Sequence, residues 1–168
     1  EIYLDRIHQL INKTNQFNLT TKRYTKSEVE EIYNSQNKIL LYGRLQDKFG
    51  DNGLISIIIA EQKEKILEIS LWIMSCRVLK RDMEIAMLNE LIDLARKRGI
   101  EKLIGTYIPS KKNSMVKDHY KNLGFEFIKE ENNIFTWLLE IRNYKEKECV
   151  IKKGEYWYGS FKKIRNYF

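Results

Sequence analysis

The stretch from residue 38 to residue 99 constrains the fold most, because its apolar residues first follow strand-like patterns and then change once to a helical pattern. Three apolar segments come first: "KILLYGRLQ" (38–46), "GLISIIIAEQ" (53–62) and "KILEISLWIMS" (65–75). The sequences between them, "GDNG" and "QKEK", are turn signals. We therefore predict an antiparallel three-stranded meander.

A long amphipathic helix is predicted directly after the meander, beginning near Arg81 and ending at Gly99, a residue typical of helix C-caps. Its buried stripe consists of Met83, Ala86, Met87, Leu88, Leu91, Leu94 and Ala95. The pattern beyond it predicts a strand over 101–108, a helix over about 111–122 and two final strands, "FEFI" and "NIFTWLLEI".

Two helices are predicted before the meander. Apolar residues in 2–13 have helical spacing, and Thr25 with Glu28 has the spacing of a capping box. Helices that interrupt a mixed, mostly antiparallel sheet define an α+β domain, which we place at residues 1–141. Residues 142–168 form a basic, aromatic carboxyl-terminal tail.

The tail carries eight Lys or Arg residues, three Glu residues and seven aromatic residues. Two interpretations stay open: the aromatic side chains dock the tail on the domain, or the tail binds an acidic partner. We do not expect nucleic-acid binding, because no RNA- or DNA-binding motif accompanies the charge.

Several classes of protein are not expected from the composition. No apolar run approaches the roughly 20 residues of a membrane span, and no signal peptide is evident, so we expect a cytoplasmic protein. Cys76 and Cys149 are too few for a disulfide framework. We also predict no metal site and interpret His8 and His119 as structural, because neither belongs to a cluster with ligand spacing.

Cys76 is a candidate nucleophile. It follows a predicted strand and precedes Arg77, Lys80, Arg81 and the predicted start of a helix, all of which favour the thiolate form. The alternative is an inert cysteine at a strand end.

A second candidate site lies in the early loop "TNQFN". Asn15, Gln16 and Asn18 supply three amides that can bind hydroxyl or carbonyl groups, so we predict a substrate-binding role. The alternative is an Asn-rich turn that caps the first helix.

Four strings carry a family resemblance: "KTNQFNLTTKRYT" (13–25), "FGDNGLIS" (49–56), "SCRVLKRDME" (75–84) and "YIPSKKNSMVKDHYKNLGF" (107–125). The element order resembles the GNAT acyltransferase fold. The strings together resemble the carboxyl-terminal GNAT-like region of FkbH-like proteins, of HAD-superfamily subfamily IIIC, over about residues 4–140.

The resemblance implies a coenzyme A or phosphopantetheine thioester as cofactor, whose arm enters a split between neighbouring strands. In GNAT enzymes the turn before the long helix holds the cofactor phosphates. That turn here is Arg77, Val78, Leu79, Lys80, Arg81 and Asp82, with Lys80 and Asp82 where the family has glycine or another small residue. By the same resemblance, Asn113 binds the pantetheine arm and Tyr120 protonates the leaving thiolate.

The implied function is handling of an acyl or glyceryl thioester for transfer to an acidic acyl carrier protein in polyketide biosynthesis. Transfer would run through Cys76 or directly with Tyr120 as acid. The family's amino-terminal HAD phosphatase half carries an Asp-x-Asp motif, which these 168 residues lack. The alternative is a catalytically silent docking module for a carrier protein.

Overall fold

A computed structural model describes residues 3–47, 50–79, 81–151, 153–154 and 165–167. Its helices are α1 (Leu4–Lys13), α2 (Lys26–Asn34), α3 (Met83–Lys97) and α4 (His119–Leu123). Its strands are β1 (Lys38–Asp47), β2 (Gly50–Lys63), β3 (Ile66–Met74), β4 (Lys102–Tyr107), β5 (Glu126–Glu131), β6 (Ile134–Glu140), β7 (Lys153–Gly154) and β8 (Arg165–Tyr167).

In the described residues these strands form one sheet in the order β5-β6-β4-β3-β2-β1-β8-β7. The pairs β3–β4 and β1–β8 are parallel, and the other pairs are antiparallel. The predicted meander is present as β1, β2 and β3. The predicted α+β class with a mixed, mostly antiparallel sheet is therefore confirmed.

The helices cover both faces of the sheet. Apolar side chains of α1 and α2 pack with one set of strand residues, and those of α3 and α4 pack with another. The central strand β2 is buried on both faces from Leu54 to Ala60. This explains its near-continuous apolar sequence, because successive side chains point to opposite faces of the sheet and both faces are covered by a core.

Two predicted helix ends are present. Thr25 Oγ1 accepts a hydrogen bond from the Glu28 amide at 3.3 Å, and the Thr25 amide donates to Glu28 Oε2 at 2.7 Å, which completes the capping box. After α3, Gly99 adopts φ +69°, a left-handed conformation that glycine accepts without steric cost.

The helix predicted over about 111–122 is wrong in extent. The chain there forms a single 3₁₀ turn, Ser114–Val116, and then the short α4. Asn113 precedes the turn, and its side chain bonds to backbone groups that lie before it in the chain. As a consequence, Asn113 and Tyr120 do not share one helix face.

The described part of the tail packs against α3. The Asn89 carboxamide bonds to both backbone groups of Lys147 and to the Tyr144 hydroxyl, and Arg96 donates to the Tyr144 carbonyl at 2.8 Å. Ile151 is buried against the core. Five of the seven tail aromatics (Tyr156, Trp157, Tyr158, Phe161 and Phe168) lie outside the described residues, and the proposed division at residue 141 stays a prediction.

Candidate functional site

The strands β3 and β4 separate partway along their length. They pair in parallel from Ile66 and Lys102 up to Ile69 and Gly105, whereas β3 runs on to Met74. Diverging neighbours leave backbone groups without ladder partners, and these must be satisfied by another group. The split predicted from the family resemblance is therefore present.

Residues 17–19, here called the inserted segment, fill this split. The Leu19 amide donates to the Trp72 carbonyl, and the Met74 amide donates to the Phe17 carbonyl, both at 3.1 Å. On the other side, the Ile108 amide donates to the Leu19 carbonyl at 2.8 Å. The inserted segment thus occupies the place of a strand between β3 and the end of β4.

Asn113 holds the inserted segment in place. Its Nδ2 donates to the carbonyls of Asn18 at 2.8 Å and Ile108 at 2.9 Å, and its Oδ1 accepts from the Ser110 amide at 2.7 Å. Its side chain is fully buried. All of these partners are backbone groups, so the carboxamide is used for structure in this conformation, and its predicted contact with a pantetheine arm stays a prediction.

Asn18 is also fully buried. Its Oδ1 accepts hydrogen bonds from the amides of Thr20 at 3.2 Å and Thr21 at 2.9 Å. Thr21 has φ +58°, which this local turn stabilises. Asn18 therefore stabilises the turn that follows it and does not cap α1, and its predicted substrate-binding role stays a prediction.

Tyr120 lies in a buried aromatic cluster. Its ring centroid is 4.9 Å from that of Phe125 and 6.3 Å from that of Trp72, and the residue is 1% exposed. Burial raises the pKa of its hydroxyl. A proton-donor role for Tyr120 stays a prediction.

His119 joins the same cluster by edge contacts with Phe17 and Trp72, at 5.2 Å and 4.4 Å between ring centroids. Burial lowers its pKa to about 3, because the low-dielectric surroundings disfavour imidazolium. The neutral imidazole therefore packs as an aromatic ring.

A cleft of about 790 Å³ opens beyond the end of β3. Three parts of the chain form it: one face of α1 with the loop after it, the turn Ser75–Arg77, and the pair Lys111–Lys112. Its cationic lining side chains are those of Arg6, Lys13, Arg77, Lys111 and Lys112. We call it the basic cleft, because none of the described residues that line it is Asp or Glu.

Cys76 is exposed in the basic cleft, and its thiol donates to Gln16 Oε1 at 3.2 Å. The loop that carries Gln16 is held by Arg23, which donates to the Ile11 carbonyl and to Asn15 Oδ1, both at 2.6 Å. The structure thus brings together four of the predicted residues: Cys76, Arg77, Asn15 and Gln16.

The turn before α3 differs from the expected phosphate loop. Cys76–Val78 forms a 3₁₀ turn, and α3 begins only at Met83. The helix start predicted near Arg81 lies two residues before Met83, and six residues separate Cys76 from the helix. Lys80 and the Val78 side chain lie outside the described residues.

Asp82 stands at the N-cap of α3 with φ +58°, a conformation that favours glycine. Its carboxylate makes no cap bond to its own helix and instead accepts from the Val150 amide at 3.3 Å. The tail therefore contacts the residue at the helix start, where the resemblance places the cofactor phosphates. Arg81 is exposed beside it.

Sequence reasoning missed Arg6, Lys13, Lys111 and Lys112. A signal for the first two was available, because Arg6, Gln9, Leu10 and Lys13 have the spacing of one helix face. Nothing local indicated that Lys111–Lys112 would meet that face. In the residues from 3 to 167 that the structure describes, no group of three or more His, Cys, Asp or Glu side chains is placed to hold a metal ion.

Solved structures with the same architecture were found, whereas no family model and no curated protein matches the chain. An aminoglycoside 6′-N-acetyltransferase complexed with coenzyme A matches with a TM-score of 0.65 and 14% identity, covering 83% of this chain and 91% of that one. The GNAT domain of a Streptomyces lividans protein, named PAT, gives 0.62 at 13% identity, with 83% and 85% covered.

The ribosomal-protein-S18-alanine N-acetyltransferase of Escherichia coli matches with a TM-score of 0.59 at 13% identity, over 86% of this chain and 92% of that one. The chain has the GNAT fold. Identities this low establish the architecture alone.

The chain itself fills both positions where the resemblance places the cofactor. The split between β3 and β4 contains the inserted segment, and the start of α3 carries the Asp82 carboxylate in contact with Val150. The expectation of an open split is therefore wrong for this conformation. The group exposed to solvent at the strand end is the thiol of Cys76. No helix in the described residues is long and apolar enough to cross a membrane.

Proposed function

We propose that this GNAT domain transfers an acyl or glyceryl group from a thioester to an acidic acyl carrier protein, as the carboxyl-terminal region of an FkbH-like protein. The observation that carries the proposal is the exposed Cys76 thiol in the basic cleft, 3.2 Å from the Gln16 amide. The four strings that resemble the family support the same function, and two of them contribute Gln16 and Cys76.

The chemistry proceeds by two thiol exchanges. The Cys76 sulfur, after losing its proton, attacks the thioester carbonyl carbon and forms a new carbon–sulfur bond. The bond from that carbon to the donor sulfur breaks, and the donor leaves as a thiol carrying one proton. The carrier-protein thiol then attacks the acyl group on Cys76, which restores the free cysteine.

Gln16 suits a cysteine that alternates between two charge states. Its carbonyl oxygen accepts a hydrogen bond from the thiol, and its NH₂ group, after rotation of the amide, donates to the thiolate. A neutral amide adds no charge that would oppose either form. Direct transfer with Tyr120 as acid receives less support, because Tyr120 is buried.

Coenzyme A in the position expected from the resemblance does not fit this conformation. The inserted segment fills the strand split, and a carboxylate at Asp82 repels a phosphate at the start of α3. We therefore treat the thioester as a substrate that approaches Cys76 from the basic cleft.

The proposed partners follow from charge and from the resemblance. An acidic carrier protein complements the cations around Cys76. An FkbH-like protein would also bring an amino-terminal HAD phosphatase domain, and we propose a cytoplasmic location without nucleic-acid binding.

A second candidate is a silent docking module for the carrier protein. The filled split and the side chain at Asp82 favour it, because both oppose cofactor binding. In that case the basic cleft would bind the carrier protein while Cys76 remained unmodified.

Intact-mass measurement tests the two candidates. The chain is incubated with acetyl- and glyceryl-pantetheine thioesters, and we expect an adduct that is absent in Cys76→Ala and present in the matched control Cys149→Ala. Binding of an acyl carrier protein without an adduct from any donor would support the docking module. Absence of both binding and adduct would refute both candidates.

A further inference from the structure

The charges of the basic cleft are not compensated within the described structure. Five cationic side chains converge from α1, from the turn after β3 and from the loop after β4. None of the ion pairs among described residues includes Lys13, Lys111 or Lys112. Like charges within about 10 Å of each other repel at physiological salt, and a bound anion relieves that repulsion.

The α1 wall of the cleft has the form of a row. Arg6, Gln9 and Lys13 are three and four residues apart, so they lie along one face over about 10 Å. The row alternates charged and neutral polar groups. It therefore offers partners both to an anion and to amide groups of an extended ligand.

The cleft is larger than the reacting group needs. Its volume of about 790 Å³ lies in the range of about 300–1,000 Å³ typical of small-molecule sites. A glyceryl group would fill little of it, whereas a pantetheine arm with its phosphate would fill much more. The phosphate would then need cations at a distance from the thiol.

The start of α3 is poorly suited to that phosphate, since the Asp82 carboxylate lies there and contacts the tail. Cations remain exposed in the cleft on α1 and on the loop after β4. We infer that the donor phosphate binds in the basic cleft, held by Lys13, Lys111 and Lys112, while the thioester reaches Cys76. This inference rests on the proposed function and names the donor as a phosphorylated pantetheine thioester.

Anion binding is measured first, without any thioester. The full chain is titrated calorimetrically with inorganic pyrophosphate, against sodium chloride at equal ionic strength. We expect the double variant Lys111→Gln/Lys112→Gln to bind pyrophosphate about tenfold more weakly than the parent chain. The control Lys117→Gln/Lys121→Gln removes the same charge from exposed residues outside the cleft and should bind like the parent chain. Equal affinities of the two double variants would overturn the inference.

Donor discrimination is measured second, by the rate of Cys76 acylation. We expect acetyl-phosphopantetheine to show a lower KM than acetyl-pantetheine in the parent chain, and this difference in KM to vanish in Lys111→Gln/Lys112→Gln. Equal KM values in the parent chain would overturn the inference and leave the proposed function standing. Pyrophosphate binding that depends on Lys111 and Lys112, without acylation by any donor, would uphold the anion site and refute the proposed function.

Discussion

Replacing Asn113 by alanine separates a structural role from a ligand-binding role. The carboxamide makes three hydrogen bonds of 2.7–2.9 Å to backbone groups, and the residue is fully buried. At about 1 kcal/mol for each bond, Asn113→Ala should cost about 3 kcal/mol of unfolding free energy. For a chain of this size, that loss corresponds to a fall in Tm of about 6–12 °C. Urea denaturation and thermal melting followed by circular dichroism measure both quantities.

Asn113→Asp is the matched variant, because it keeps the acceptor for the Ser110 amide and loses the two donated hydrogen bonds. A buried carboxylate would then face the carbonyls of Asn18 and Ile108, which disfavours the ionised form and raises its pKa. Its stability should therefore improve as pH falls, since the protonated acid regains one donor. The reasoning would be refuted if Asn113→Ala lowered the free energy of unfolding by less than about 1 kcal/mol. It would also be refuted if the stability of Asn113→Asp did not depend on pH.

Three further predictions follow from the same packing. Gly105→Ala should destabilise the fold by about 1–3 kcal/mol, because the added Cβ would overlap the Tyr120 ring. Urea denaturation measures the change, and an unchanged midpoint would contradict it. Gln16→Glu should slow alkylation of Cys76 by iodoacetamide several-fold, since a carboxylate beside the sulfur disfavours the thiolate, whereas a rate equal to that of Gln16→Ala would not fit. The pKa of the buried His119 is lowered to about 3, so His119 binds fewer protons in the folded chain than in the unfolded chain. The free energy of unfolding should therefore fall by up to about 1.4 kcal/mol per pH unit as pH drops from about 6.5 towards 3. His119→Phe should reduce this pH dependence when urea denaturation is measured across the same pH range. An unaltered pH dependence would mean that other titratable groups cause it.

Local sequence patterns predicted helices and strands well where the backbone hydrogen bonds of a segment are made by residues close to it in the sequence. The capping box at Thr25 and the left-handed Gly99 were both recognisable, because the bonds involved lie within a few residues. The helix over 111–122 failed for the opposite reason. Its first half gives up helical bonds because Asn113 bonds to a segment nearly a hundred residues away.

The candidate site was predictable only in part. Cys76 and Gln16 were singled out separately by residue type, whereas their contact joins positions sixty residues apart. The basic cleft needed two further elements to meet, and no local pattern in Lys111–Lys112 indicated where α1 would lie. The distribution of charge along the sequence indicated a cationic tail and gave no sign of the basic cleft.

The sequence by itself determined the order of helices and strands and hence the α+β class, because hydrophobic periodicity and turn residues act over short distances. Tertiary structure decided that residues 17–19 fill the gap between β3 and β4 and that Tyr120 is buried. The physical reason is that diverging strands leave backbone amides and carbonyls that require partners, and only the folded chain shows which distant segment supplies them.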